Sequence, residues 1–349
     1  MIVIPFKKIR VLVVDDSLFA RHFIANEIGK DAAIEVVGTA NDPFEALEKV
    51  EALNPDVMTL DVQMPGMNGI DFLKKLMPQH PVPVIVVSSA SGIVFDALQA
   101  GAVDFVSKPL ESGEGRAAFA SELIIKLKIA SIAKVGQHKN TPHRQENTLN
   151  TAQCGNACVI AIGASTGGTE ATARILSELR NDLPGILIVQ HMPPVFTKLY
   201  AERLNNTTKL AAKEAEDGDI LRPGCALVAP GEYHMTLEKY AGGFRVRCKK
   251  GEKVSGHCPS VDVMFESVAK TAGSSALGIL LTGMGADGAN GLLKMKQSGA
   301  HTIGQNKESS VVYGMPMVAM GMGAVTKELP LNSIAQAIYA WRDEQRKSR

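Results

Sequence analysis

The strongest constraint on this chain is a rhythm of short, largely apolar runs, each followed by a stretch of helical pattern. Residues 9–14, 35–38, 57–60, 84–87 and 103–106 are such runs, rich in valine and isoleucine. A strand with one wet face alternates apolar and polar residues; runs apolar on both faces need a parallel sheet covered by helices on each side. Between the runs, residues 17–29 and 43–53 read as helices. Pro43 suits a first helical turn, and Phe44, Leu47 and Val50 fall on one face. Five such units in succession, (βα)5, predict a doubly wound α/β fold.

The rhythm lapses between about Ser131 and Asn156. Residues 137–147 are polar without period and read as a linker, in which His138 and His143 are solvated side chains rather than a metal pair. It resumes with strands at 158–162, 186–189 and 277–281 and helices at 169–179, 195–204 and 288–298. A hairpin is predicted at 235–247, turning at 241–243. The 349 residues fit two domains at roughly 150 residues each. We place them at 8–128 and 157–345, with a linker at 129–156. The second domain is predicted to be doubly wound and mainly parallel, like the first.

Several classes are excluded. A net charge of +1 argues against a cationic nucleic-acid binder, and no compact helix-turn-helix pattern occurs. No apolar run approaches the ~18 residues of a membrane span, so no membrane insertion is expected. The N-terminal apolar stretch is too short for a signal peptide and precedes its charges. The five cysteines include no CxxC pair and read as reduced thiols of a cytoplasmic protein. The near-zero charge is a cancellation. Residues 1–130 carry 12 basic and 17 acidic side chains, whereas residues 157–349 carry 22 and 18. An acidic first domain joined by this linker could cover a more basic second one.

In parallel α/β sheets, ligands bind beyond the carboxyl ends of the strands. Asp15 and Asp16 follow the first run, Asp61 the third, Ser88 the fourth and Lys108 the fifth. Clustered carboxylates invite a hard cation such as Mg²⁺, which takes oxygen ligands. Asp61 could then act as a nucleophile toward a phosphoryl group. Lys108 would pair with one phosphoryl oxygen, and Ser88 would donate to another.

Val13-Val14-Asp15-Asp16-Ser17, Asp61 through Gly69 and Ser107-Lys108-Pro109 resemble the response-regulator receiver domain over about residues 8–128. The resemblance implies a flavodoxin-like fold and phosphorylation of Asp61 by a chemotaxis histidine kinase. It also implies Mg²⁺ held on Asp16 and Asp61 with help from Asp15. Phe105 falls where that family keeps a switch aromatic, and core packing explains it equally well.

In the second domain, Gly163-Ala164-Ser165-Thr166-Gly167 matches GxSxG, whose small residues allow a sharp turn that exposes a serine hydroxyl. The helix that follows offers N–H donors at its start. His191 follows the next strand, and Asp287 follows a later one beside Met284-Gly285. Serine, histidine and aspartate at neighbouring strand ends can form a triad. Their order differs from the Ser…Asp…His order of α/β-hydrolases. Singly, each has a plain reading: a turn serine, a core histidine, a helix cap.

Residues 163–168, 190–194, 201–204, 214–218, 228–231, 259–263, 282–288 and 314–316 resemble the chemotaxis protein-glutamate methylesterases, the CheB family, over about residues 157–345. The resemblance implies that Ser165, His191 and Asp287 are the triad and that Thr166 and Met284 support it. It implies hydrolysis of glutamate γ-methyl esters on methyl-accepting chemotaxis receptors, and deamidation of certain glutamines, by a monomer needing no cofactor in this domain. Cys258 departs from the family, which usually has a basic residue there. Arg245, Arg247, Lys249, Lys250 and Lys253 could meet acidic receptor helices, though a solvated hairpin face is the simpler reading.

Overall fold

A computed structural model describes residues 7–89, 92–109, 113–136 and 158–347. The chain divides into two compact units, Met1–Lys139 and Asn140–Arg349. The expected linker histidines His138 and His143 lie outside the described residues.

The first unit alternates strands β1 (Ile9–Val14), β2 (Ile34–Ala40), β3 (Val57–Leu60), β4 (Val84–Ser88) and β5 (Asp104–Ser107) with five helices. These are α1 (Leu18–Ile28), α2 (Pro43–Leu53), α3 (Gly69–Gln79), α4 (Val94–Gln99) and α5 (Gly113–Ala130). The strands are parallel in the order β2-β1-β3-β4-β5. Val11 to Val14 and all of β3 and β4 are buried, as runs apolar on both faces require. Ser17, Asp42 and Asn68 cap α1, α2 and α3 through their side-chain oxygens, which take up N–H groups that have no partner within the helix. After α5, Ser131 and Ala133 still bond back to the helix, and Gly136 lies against Pro81. The first residues of the expected linker thus belong to this unit. The order reverses between β1 and β3, which opens a crevice where Asp15 and Asp61 emerge.

The second unit is built on seven parallel strands, ordered β15-β14-β13-β6-β7-β10-β8. They are β6 (Val159–Ala164), β7 (Gly185–Gln190), β8 (Ala211–Glu214), β10 (Cys225–Val228), β13 (Ala276–Leu280), β14 (His301–Gln305) and β15 (Lys327–Leu329). Helices α6 (Gly168–Ser177), α7 (Phe196–Thr207), α8 (Val261–Ala272), α9 (Ala289–Gln297), α10 (Met315–Gly321) and α11 (Leu331–Lys347) connect and cover them. The predicted hairpin is present as β11 (Tyr233–Tyr240) and β12 (Gly243–Lys250), with β9 (Ile220–Leu221) added to its edge. Its alternation is real: Met235, Leu237, Phe244 and Val246 point inward to a core shared with Phe265 and Val268 of α8. On its outer face Arg245 pairs with Glu238 and Arg247 with Asp217, so those two arginines are neutralised within the unit. In both sheets the polar residues of interest lie just past the carboxyl ends of buried strands.

Candidate active site

In the second unit, the register of β6 on β7 sets Ala164 opposite Gln190. Ser165 and His191 are therefore the next residues on adjacent strands. The chain leaves β6 sharply. Ser165 N–H donates to Thr282 O beyond β13 (3.0 Å), and Gly168 N–H closes back onto Ser165 O (2.7 Å). Gly167 sits at φ 77°, in the left-handed region that favours glycine. Gly283 is required for a different reason: a side chain there would start 2.6 Å from Ser165 Cβ. Gln190 joins the two loops, because its Nε2 donates to Ser165 O (2.9 Å) and to His191 O (3.4 Å).

Asp287 enters from the loop after β13 and is almost fully buried. Its carboxylate receives four donors. His191 Nε2 and Val261 N–H reach Oδ2, each at 2.7 Å. Ser260 Oγ (2.7 Å) and Asp262 N–H (3.0 Å) reach Oδ1. Burial opposes the charge, but the hydrogen bonds from His191, Ser260 and Val261 outweigh it and hold the carboxyl below its usual range. The plain reading of Asp287 as a cap on its own following helix is not what forms. It satisfies the first turn of α8 instead, whose orphan N–H groups and positive dipole end favour an anion.

An ionised carboxylate only accepts, so Nε2 of His191 carries the hydrogen and Nδ1 holds the lone pair. That Nδ1 is buried and has no partner among the described residues. Thr166 is buried, and its carbonyl is held by Thr282 Oγ1 (3.0 Å). Met284 is 43 % exposed at the rim. Two groups near this set were not singled out from the sequence. The Ser260–Asp262 stretch was read only as a match to a family, although a serine before an apolar helical run is an N-cap signal. His257, whose ring stacks on His191, carries no sequence signal at all. Cys258 is half-buried, and burial pushes its thiol up, so it is not poised as a thiolate.

In the first unit, one carboxylate oxygen from each of Asp15, Asp16 and Asp61 lies within 4.8 Å of the others, with Asp15 and Asp61 buried and Asp16 exposed. Lys108 Nζ reaches Asp15 Oδ2 at 2.8 Å and Asp61 Oδ2 at 2.5 Å. Its backbone is tied to Ser88 O (3.0 Å), which fixes β5 against β4 at this edge. Burial pushes Asp15 up, opposed by Lys108 and reinforced by Asp61. Burial pulls Lys108 down, but both carboxylates outweigh it and raise it. Gly69 is obligatory beside the site, since a Cβ there would lie 2.7 Å from Asp61 O. Three clustered carboxylates, two of them buried with one lysine, fit a divalent cation with oxygen preference. Phe105 is buried, with Lys126 Nζ 4.9 Å from its ring centroid. Among the described residues no helix is long and apolar enough to cross a membrane.

Comparison with known proteins agrees with both halves. Residues 160–338 match the CheB methylesterase family model, and residues 11–120 match the response regulator receiver domain. A protein-glutamate methylesterase/protein-glutamine glutaminase of Syntrophomonas wolfei is 53% identical over 334 residues, covering 95% of this chain and 97% of that one. The Salmonella typhimurium protein of the same description is 46% identical, with 95% and 97% covered. The catalytic domain of Thermotoga maritima CheB methylesterase, a solved structure, is 37% identical with a TM-score of 0.51, covering 52% of this chain and 97% of that one. The chain therefore belongs to the protein-glutamate methylesterase/protein-glutamine glutaminase family, with a receiver domain ahead of a CheB methylesterase domain.

Proposed function

We propose that the second unit hydrolyses glutamate γ-methyl esters on chemotaxis receptors, and deamidates specific receptor glutamines, under control of phosphorylation at Asp61. Ser165 Oγ attacks the ester carbonyl while its proton passes to His191 Nδ1. The tetrahedral intermediate expels methoxide, which takes that proton and leaves as methanol. Water then attacks the glutamyl-serine ester, His191 again carries the proton, and glutamate and free Ser165 are released. For a glutamine the leaving group is ammonia. Asp287 stays ionised and holds the imidazolium. Helix α6 follows the Ser165 loop, so its dipole would favour the oxyanion, which Thr166 and Met284 would help to hold. The observation that carries this reading is the Nε2–Asp287 bond together with the unpartnered Nδ1 on the strand beside Ser165.

In the receiver, Asp61 is the acceptor for a phosphoryl group from a histidine kinase. Lys108 and Ser88 would contact the phosphoryl oxygens, and Asp15, Asp16 and Asp61 would hold Mg²⁺. When bound, that ion neutralises charge between Asp61 and the phosphoryl group. The test is methanol release from methylated receptor membranes, with and without a small-molecule phosphodonor. Turnover stimulated by the donor supports the reading; receptor methyl groups untouched in both conditions overturn it.

A further inference from the structure

His257 stands outside the Ser165, His191 and Asp287 set. It closes a tight turn whose two central residues, Ser255 and Gly256, have φ of 52° and 84°. Backbone bonds between Val254 and His257 run both ways across that turn, at 3.0 and 2.9 Å. The turn lays the His257 ring on the His191 ring, with centroids 3.6 Å apart and planes 7° apart. At that separation the rings overlap almost without offset. The next residues of the same segment, Ser260 to Asp262, supply three of the four donors to Asp287. One short stretch of chain thus walls in both the base and its carboxylate.

Two imidazolium rings could not share this geometry, because like charges this close repel strongly inside a protein. One neutral ring facing one cationic ring is attractive, as in other cation–aromatic contacts. Asp287 marks His191 as the ring that becomes cationic. Burial, then the charge of His191, lower the proton affinity of His257 to a pKa of about 4; Asp287 opposes this and Lys253 adds to it. On the β11 side, His234 Nδ1 accepts the Ser260 N–H and its Nε2 meets Glu252 O, which is the neutral tautomer.

We propose that His257 is a positioning residue for the base: its neutral ring fixes the plane of His191 about the Nε2–Asp287 bond and faces the positive charge that His191 gains from Ser165. This rests on the reading of His191 as the general base. A single hydrogen bond fixes where the ring edge points but leaves the ring free to rock about that bond. The flat neighbour removes this freedom, so Nδ1 stays aligned for proton transfer, where small misplacements are costly.

Two variants of the full chain test it by methanol release. His257→Ala should lower kcat about tenfold or more with KM within about twofold, because alignment rather than substrate binding is lost. His257→Phe keeps a flat ring and should restore kcat to within about threefold of wild type. Full activity in the alanine variant, or a folded phenylalanine variant that loses as much as alanine, overturns the proposal. The phenylalanine variant retains the buried ring volume, so it carries the test if alanine melts early. A third arm reads imidazole titrations by NMR in His191→Gln. There His257 should titrate at higher pH than in wild type, because the charge facing it is gone; an unchanged titration overturns the coupling. This arm holds even if His191→Gln retains turnover, a result that would overturn the base assignment instead.

Discussion

His191 turns Nε2 toward Asp287, 2.7 Å from Oδ2, and leaves Nδ1 without a partner among the described residues. The serine-protease template uses the ring the other way round, with Nδ1 on the carboxylate and Nε2 on the nucleophile. The chemistry is the same, since the carboxylate fixes whichever tautomer leaves a lone pair toward the serine. Ser165→Ala and His191→Gln should each reduce methanol release by at least about 10³-fold and leave receptor binding intact. Either variant turning over within tenfold of wild type would exclude that residue from the triad.

Asp287→Asn tests how the base is held. Each carboxylate oxygen accepts two donors, one of them a backbone N–H, so an amide NH2 in either orientation faces a backbone N–H it cannot bond, that of Val261 or of Asp262. The expected loss in kcat is on the order of 10³- to 10⁴-fold, because the favoured His191 tautomer reverses. Stability should fall by about 2–4 kcal/mol, since buried donors at the start of α8 lose their anion. The folded pKa of Asp287 is depressed. Its contribution is therefore complete above the unfolded carboxylate range and is lost as pH falls through the folded value. Urea denaturation should show a constant gap between wild type and variant from about pH 5 to 8, closing below about pH 4. A gap that does not change with pH would mean the charge is not what stabilises α8.

The first sheet and strands β6, β7 and β13 of the second, with their carboxyl ends, were legible in the sequence because buried parallel strands leave continuous apolar runs. Strands β8, β9, β10, β14 and β15 were missed: Ala211–Glu214, Ile220–Leu221, Cys225–Val228, His301–Gln305 and Lys327–Leu329 are too short or too mixed to show a period. The helix α8 was missed although Val261, Met264, Phe265 and Val268 recur at helical spacing before Gly273. Ser165, His191 and Asp287 could be marked because each follows a strand or opens a helix. His257 could not, because its position depends on a turn built from Ser255 and Gly256, and nothing local says where that turn points. Ring-nitrogen usage was likewise invisible, being decided by the first turn of α8 meeting a loop 25 residues away in sequence.

Gly168→Ala probes the link between the loops that carry Ser165 and His191. Its new Cβ would fall 2.5 Å from both Ala164 Cβ and Gln190 Oε1. Gln190 cannot retreat without releasing the carbonyls of Ser165 and His191. We expect a destabilisation of about 1–3 kcal/mol by overpacking, with kcat reduced more than KM. Denaturation and steady-state kinetics on the same preparation check both. Wild-type kcat in a destabilised variant would mean that Gln190 supports the fold but not the alignment.

Asp61→Asn should abolish stimulation by a phosphodonor and leave basal methanol release intact, since the acceptor lies in the other unit from Ser165. Loss of basal turnover as well would show that the substitution damages more than the switch.

Asp15 separates the cost of the acidic site from its use. It is fully buried, and its folded pKa is raised by burial and by Asp61 in spite of Lys108. Between the unfolded and the raised folded pKa the native state binds more protons than the unfolded state, so stability declines as pH rises through that window. At neutral pH the charged Asp15 is therefore a net burden on the receiver. Asp15→Asn should stabilise the protein by on the order of 1 kcal/mol at pH 7, with the gain vanishing at pH values below the unfolded carboxylate pKa. Lys108 keeps Asp61 as its partner in the variant, so no lysine charge is left bare. The same substitution should weaken binding of Mg²⁺, measured by calorimetry on the unphosphorylated protein, because one of three clustered carboxylates is gone. A variant that is less stable at pH 7 would show that the Lys108 pair outweighs the burial of Asp15.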